Sequence, residues 1–201
     1  MKTLSFETKE DWFAARLRKI TGSRLKDIVV KRGTGKKLGY YELIAERLAT
    51  EPEDDESPMD RGARLEGEAM VRFAKETGKK VDTSLVLWTR DDNENIAVSP
   101  DGFIGKKEAV EVKCLSSALH IKAWLTKEVP DEYEMQVIQY FCVNEDLETL
   151  YVAFYDPRIS VKDFFYLEIK RKDVQEKVTE YLEYQKVVLD EVEKIVVELS
   201  F

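Results

Sequence analysis

Two carboxylates and a lysine, Asp101, Glu111 and Lys113, lie close together in a stretch that otherwise has the pattern of two buried strands. In Val110–Cys114 the apolar residues alternate with the two charged ones, so both charges face the same side of a strand. Asp101 lies in the turn Ser99–Gly102 after the preceding strand. An antiparallel return of the chain would therefore bring Asp101 beside Glu111.

Two carboxylates that converge repel each other unless a cation lies between them, and Mg²⁺ takes such oxygen ligands. A neighbouring lysine can orient and activate a water molecule for attack on a phosphodiester, while the metal polarises the phosphoryl group. A second interpretation stays open from the residues alone. A strand with one solvated charged face, followed by an ordinary turn, has the same pattern.

The elements around these residues are predicted to be short strands followed by helices. β-rich runs separated by turn residues predict strands at 84–90, 95–98 and 109–113, as in a meander. Helical spacing and further β-rich runs predict helices at 117–126 and 131–143 and strands at 149–155 and 164–169. The pattern is that of a mixed α+β domain.

The first third of the chain is predicted to be helical. Thr8–Asp11 caps a helix at 12–19, Ser23 caps a second helix with Leu25, Ile28 and Val29 inward, and a third helix spans 40–48. An exposed acidic loop at 51–58 precedes a helix at 60–77 that Gly78 ends. A long amphipathic helix at 173–199 is expected to pack on the core or on a partner subunit.

Length and composition predict one soluble domain. The chain has 201 residues, 43% hydrophobic and 36% charged, with no apolar run long enough to cross a membrane and no signal-peptide pattern, so a cytoplasmic protein is expected. Cys114 and Cys142 are too few for a disulfide framework. With His120 as the one histidine, a histidine-rich metal site is excluded, and these three residues are expected to be structural.

The charge is distributed unevenly along the chain. The formal net charge of −8 argues against a protein that coats nucleic acid non-specifically. Residues 16–37, however, carry nine basic side chains against the single acid Asp27. Both a solvated helix face and a phosphate-binding arm fit this segment.

Several blocks resemble a known nuclease family. Pro100-Asp101 followed by Glu111-Val-Lys113 resembles the PD-(D/E)xK nuclease signature. Within that superfamily the chain is similar to the family of phage lambda exonuclease and the YqaJ-type viral recombinases. The further matching blocks, in chain order, are Trp12–Arg16, Ile20–Ser23, Gly62–Glu66, Gln136 and Tyr155–Arg158. The resemblance implies a restriction-endonuclease-like core, in which helices flank a central mixed sheet.

The resemblance also implies roles for individual residues. Asp101 and Glu111, with the backbone carbonyl of Val112, would hold Mg²⁺, and Lys113 would position or deprotonate the water. Glu66 would hold a second metal ion or its water, with Glu68 on the same helix as its alternative. Two Mg²⁺ ions per active site are implied, with Mn²⁺ as a possible substitute.

Three more residues receive roles from the family. Gln136 would brace the site, its alternative being a polar residue satisfied under the sheet. Arg16 and Ser23 would bind the 5′-phosphate of a DNA end, although Arg16 could instead pair with a neighbouring acid such as Asp11. Trp12 is predicted to lie in the core rather than to stack on bases.

The implied function is a Mg²⁺-dependent 5′→3′ exonuclease that degrades one strand of linear double-stranded DNA and leaves a 3′ single strand for phage recombination. Implied partners are DNA ends, two further subunits in a homotrimeric ring and a phage single-strand annealing protein, in the cytoplasm of a bacterial host. The chain is expected to form a single nuclease domain: residues 1–60 bind the DNA end, 61–170 form the nuclease core and 171–201 the C-terminal helix.

Two rivals remain: a flap or endonucleolytic nuclease of the same fold, and a catalytically silent protein that binds DNA ends. Gln136–Tyr140 also spells Q-x-x-x-Y, which is typical of the RecB-type branch of the superfamily. That branch often carries an iron–sulfur cluster held by four cysteines, and two cysteines predict that the cluster is absent here.

Overall fold

The computed structural model describes residues 4–51 and 56–200, which form seven α-helices and six β-strands. Four helices come first: α1 (Lys9–Arg16), α2 (Gly22–Ile28), α3 (Leu38–Leu48) and α4 (Pro58–Thr77). Residues 52–55 of the predicted acidic loop lie outside the described residues. The ends of α4 follow ordinary capping rules, since Ser57 caps its start and Gly78 adopts the left-handed conformation at its end.

Short strands follow α4, as the β-rich middle of the sequence predicts. Strands β1 (Trp88–Thr89) and β2 (Ala97–Val98) form a small antiparallel pair. Strands β3 (Gly102–Ile104) and β4 (Glu108–Lys113) form a hairpin at the edge of the main sheet. The chain then crosses over through α5 (Ser117–Thr126), one 3₁₀ turn and α6 (Glu134–Val143).

The main sheet is mixed and has the strand order β3-β4-β5-β6. The crossover returns the chain to β5 (Thr149–Tyr155), which lies parallel to β4, and β6 (Phe164–Lys170) adds an antiparallel edge. The long α7 (Arg171–Leu199) ends the chain. A parallel pair needs such a crossover connection, and here the crossover contributes the helix that completes the site.

The sheet is covered by helices on both faces, which confirms the predicted α+β class with a central mixed sheet between helices. On one face, α4 packs through Leu65, Ala69 and Phe73 against residues of β4 and β5. On the other, α6 and α7 pack against Ala109 and the alternate residues of β5. Because strand side chains alternate, Glu111 and Lys113 share the α6 face with Ala109.

Three sequence predictions of local structure were wrong. The strand expected at 84–90 is reduced to Trp88–Thr89, and Leu85 is fully exposed because no neighbouring strand pairs with this segment. Ser23 does not cap α2: the cap is Thr21, and Ser23 lies inside the first turn. Leu25 and Val29 point to solvent rather than inward, because α2 is attached to α3 through the polar side chain of Arg24.

Candidate active site

The hairpin of β3 and β4 places Asp101 beside Glu111, as the sequence predicts. The register pairs Gly102 with Val110, so Asp101 and Glu111, which adjoin that pair, become neighbours. The backbone N–H of Val112 donates to Asp101 Oδ2 at 2.7 Å. Asp101 directly precedes the first residue of β3. Its side chain therefore accepts the hydrogen bond that a backbone carbonyl of a longer β3 would accept.

The carboxylate of Glu111 accepts hydrogen bonds at both of its oxygens. Lys113 Nζ lies 2.7 Å from Glu111 Oε1, and Gln136 Nε2 donates to the same oxygen at 2.7 Å. The hydroxyl of Tyr140 donates to the other oxygen, Oε2. These bonds satisfy the polar atoms of a carboxyl group at a position that is only 3% exposed.

Lys113 is held from three directions. Besides Glu111, its ammonium donates to Gln136 Oε1 at 2.8 Å and lies 4.4 Å from the centre of the Tyr133 ring. An ammonium has three N–H donors, so one remains for a water molecule or a phosphate oxygen. The side chain is largely buried, which fixes the direction of that remaining donor.

The electrostatics of the site indicate a deficit of positive charge. Burial and the charges of Glu111 and Glu66 together raise the pKa of Asp101 to about 7, against the opposing effects of the Val112 N–H and the Lys113 charge. Burial and the Glu111 charge also raise the pKa of the Tyr140 hydroxyl, which therefore acts as a protonated donor.

The structure separates the two acids that the sequence left as alternatives. The exposed Glu66 on α4 is close enough for its charge to act on Asp101. Glu68 is engaged elsewhere, because the hydroxyl of Tyr155 donates to Glu68 Oε2 at 3.0 Å. Glu66 is thus the α4 acid that lies toward the cluster.

The donor set suits a hard cation that keeps part of its water shell. Within residues 4–51 and 56–200, no three acidic, histidine or cysteine side chains converge closely enough to hold a metal ion by themselves. The cluster instead offers Asp101, Glu111 and the backbone carbonyl of Val112. In a strand the N–H and C=O of one residue point to the same edge, so this carbonyl lies on the Asp101 side. Mg²⁺ is usually bound by one or two carboxylates plus waters, so the residues fit it.

Arg16 and Ser23 come together, as the predicted phosphate site requires. The guanidinium of Arg16 donates to Ser23 Oγ at 3.2 Å, and Thr21 Oγ1 lies 3.2 Å from the same hydroxyl. Among the described residues Arg16 has no acidic partner, so the alternative pairing with Asp11 is wrong; Asp11 instead accepts a hydrogen bond from Thr8.

The position of Trp12 differs from its prediction as a core residue. Its ring is 41% exposed, and the Arg16 guanidinium lies 4.3 Å above the ring centre. Helix α1 has no buried residue, so the Trp12 ring does not lie in the core. Stacking on Trp12 holds Arg16 in place without neutralising its charge.

A buried ion pair near the site was not anticipated from the sequence. Arg61 of α4 donates to Asp156 at 2.8 Å, and Ser117 Oγ donates to the other oxygen of Asp156 at 2.5 Å. The pair joins α4, the start of α5 and the turn after β5. The signal available in the sequence was Tyr155–Arg158, which the family resemblance included without a role.

The single histidine and both cysteines are buried, as expected for structural residues. Burial lowers the pKa of His120 and raises the pKa of Cys114 to about 12, so both are neutral near pH 7. His120 Nε2 lies 2.8 Å from the Lys162 carbonyl.

Comparison with known protein families identifies the family of this chain. A family model described as the YqaJ-like viral recombinase domain matches residues 11–146, and this range contains every predicted site residue. The chain belongs to this family. A search among curated proteins finds no match.

Two solved structures of one protein resemble the chain over nearly its whole length. They are the alkaline exonuclease LHK-Exo of Laribacter hongkongensis and the same protein in complex with dAMP. Each is 28% identical to this chain, covers 95% of it and 100% of its own length, and superposes with a TM-score of 0.56. Family and neighbours together indicate a nuclease of the viral recombination type. In the part of the chain that the structure describes, no helix has the length and apolar character needed to span a membrane.

Proposed function

We propose that this protein is a Mg²⁺-dependent 5′→3′ exonuclease that degrades one strand of linear double-stranded DNA and leaves a 3′ single strand for recombination by strand annealing. The observation that carries the proposal is the cluster of Asp101, Glu111 and Lys113, in which two carboxylates and an ammonium meet at the end of β4. The similar LHK-Exo is an exonuclease and was solved with a nucleotide, dAMP, which supports a DNA substrate.

Each side chain of the cluster has a distinct task in hydrolysis. Asp101 and Glu111, with the Val112 carbonyl, supply the oxygen ligands for Mg²⁺, and Glu66 holds a second ion or its water. Bound Mg²⁺ supplies charge stabilisation at the phosphoryl oxygens and at the leaving oxygen. Lys113 directs its remaining N–H donor at the attacking water and holds that water in line with the phosphorus. Gln136 fixes Lys113 and Glu111 relative to each other.

The end of the DNA is held by the N-terminal helices. Arg16 and Ser23 bind the 5′-phosphate, because a guanidinium forms forked hydrogen bonds to phosphate and a serine hydroxyl adds another donor. Arg16 and Ser23 belong to the basic segment 16–37, so the attraction for DNA is local although the chain is acidic overall.

The proposed assembly is the one that the family resemblance implies, and the balance of charge is compatible with it. An acidic subunit holds DNA poorly by itself, whereas three subunits in a ring surround the duplex with their basic segments. We therefore propose a homotrimeric ring that works in the bacterial cytoplasm with a phage single-strand annealing protein.

The experiment that tests the function is digestion of linear duplex DNA with Mg²⁺. The DNA is labelled separately at its 5′ and 3′ ends, and a covalently closed circle serves as the control substrate. Progressive loss from the 5′ end, with the circle intact, is expected. Cleavage of the circle would indicate an endonuclease of the same fold. Binding of DNA ends without any cleavage would indicate a silent end-binding protein.

A further inference from the structure

Gln136 and Tyr140 lie four residues apart on α6 and therefore share one face of that helix. Both side chains reach the same carboxylate on β4, yet they bind different oxygens: Gln136 binds Glu111 Oε1, and Tyr140 binds Glu111 Oε2. The two residues of the Q-x-x-x-Y motif thus hold the carboxylate of Glu111 at both of its oxygens. The Tyr140 side chain is fully buried, and its hydroxyl also lies 3.3 Å from the Ser99 carbonyl, just before Asp101.

The hydrogen bonds limit how Glu111 can bind a cation. A carboxylate offers about four lone-pair directions. In the described structure two donors, Lys113 and Gln136, take Oε1, and one donor, Tyr140, takes Oε2. One direction remains, and it belongs to Oε2. Without the Tyr140 hydroxyl, this oxygen would have no bond that sets its orientation.

We propose that Tyr140 is a positioning residue for metal binding: its hydroxyl holds Glu111 Oε2 so that the remaining lone pair of this oxygen is available to a single divalent cation. The inference rests on the proposed function, because it assigns Glu111 to the metal. It goes beyond that function because it gives the Q-x-x-x-Y tyrosine a physical task. Partners that orient metal ligands commonly change metal affinity by about 10- to 100-fold when they are removed.

Glu108, at the other end of β4, provides a matched control. The hydroxyl of Tyr151 donates to Glu108 Oε1 at 3.0 Å, and Lys79 lies 2.8 Å from the other oxygen of Glu108. This group repeats the tyrosine–glutamate–lysine arrangement at the opposite end of β4, away from Asp101. Removal of either hydroxyl deletes one tyrosine–glutamate bond, but only Tyr140 serves the proposed metal ligand.

The test is titration of the full-length protein with Mn²⁺ in the absence of DNA, with calorimetry as the measurement of affinity. We expect Tyr140→Phe to weaken Mn²⁺ binding by about ten-fold, and Tyr151→Phe to keep the wild-type affinity within about two-fold. Equal affinities of wild type and Tyr140→Phe would overturn the inference while leaving the proposed function standing. A wild type that binds no Mn²⁺ and cleaves no DNA would overturn both.

A second measurement does not depend on how the variant folds. In a crystal structure of the wild-type protein with Mn²⁺, the Tyr140 hydroxyl should stay within about 3 Å of Glu111 Oε2 while Mn²⁺ contacts that oxygen. A metal-bound structure in which the hydroxyl has moved out of hydrogen-bond reach, or in which Mn²⁺ does not contact Glu111, would refute the role.

Discussion

At the scale of single residues, hydrogen bonds between the side chains of the cluster hold each of them in place. Glu111 is buried, and it tolerates burial because Lys113, Gln136 and Tyr140 donate to it. The same bonds hold Lys113 still. The ammonium is thus oriented before any substrate arrives, which is what an activated water requires.

Lys113→Ala is therefore expected to lower the single-turnover rate of DNA cleavage by about 10²- to 10⁴-fold, the usual contribution of a proton-transfer or water-orienting group. Binding of DNA ends should change little, since the cation lies beside Glu111 rather than on the basic segment. Rapid-quench digestion checks the rate, with Lys79→Ala as the control because Lys79 pairs with Glu108 on the same strand. A Lys113→Ala protein that cleaves at the wild-type rate would contradict the assignment.

Arg16→Ala should reduce the preference for 5′-phosphorylated over 5′-hydroxyl ends by about ten-fold, because a hydrogen bond to a charged group contributes roughly 1.5–3 kcal/mol. Competition digestion of the two substrates measures this preference. Lys19→Ala is the control, since Lys19 is an exposed cation of the same segment whose ammonium binds the backbone carbonyl of Ala15. An equal loss in both variants would mean that the effect is general charge and not a phosphate site.

The residues of the cluster were predictable to different degrees. Asp101, Glu111 and Lys113 could be placed together from a turn followed by strand alternation, since both are local patterns. The contact of Tyr140 with Glu111 could not, because it depends on how closely α6 packs against β4. The choice between Glu66 and Glu68 also needed the structure, since neighbouring turns of an exposed helix give no sequence signal for direction.

At the scale of elements, the hairpin of β3 and β4 needs a glycine at its start. A Cβ on Gly102 would lie 2.6 Å from Val81 Cγ1 and 2.9 Å from Met70 Cε of α4, so a larger residue here requires these side chains to shift. This close approach brings β3 near the α4 surface that carries Glu66.

Gly102→Ala is expected to cost about 1–3 kcal/mol of folding stability, the usual cost of overpacking a core. The thermal midpoint should fall by roughly 2–4 °C for each kcal/mol in a chain of this size. Gly67→Ala is the control: Gly67 lies in α4 with open space around its Cβ position, so alanine there should raise stability slightly. Calorimetry measures both, and an unchanged midpoint for Gly102→Ala would contradict the packing argument.

Most helices and strands followed from periodicity, and the exceptions have a physical cause. The long helices and β4–β6 are amphipathic or apolar over enough residues for the pattern to be clear. The segment 84–87 has high β-propensity but no partner strand, and propensity alone does not make a strand. A run of this kind becomes a strand only if a free edge of a sheet lies beside it. The local sequence carries no information about that edge.

At the scale of the whole molecule, charge is divided between two parts of the chain. The net charge is −8, yet residues 16–37 are strongly basic. In the structure Lys31, Arg32 and Lys36 are exposed on the loop between α2 and α3, and Lys36 lies above the Tyr40 ring at 5.3 Å. A surface of this kind attracts a polyanion while the rest of the molecule repels it.

Replacement of Lys31, Arg32 and Lys36 by glutamine should weaken DNA binding and flatten its salt dependence. The slope of log affinity against log salt should fall by up to about 0.9 for each phosphate that the protein no longer neutralises. Fluorescence anisotropy at several salt concentrations measures the slope. A triple variant of the exposed Lys75, Lys80 and Lys172 is the control, because it changes the total charge equally. Identical slopes for the two variants would remove the basic loop from the DNA-binding surface.

The register of β4 ties the packing of the core to the arrangement of the charged cluster. The same alternation that turns Val110 and Val112 toward α4 turns Glu111 and Lys113 toward α6. A slip of one residue would exchange the two faces, since strand side chains alternate with a period of two. The molecule would then lose its interior and its reactive groups in one event. A copy with this slipped register would therefore lack the arrangement of Glu111 and Lys113 on which the proposed activity depends.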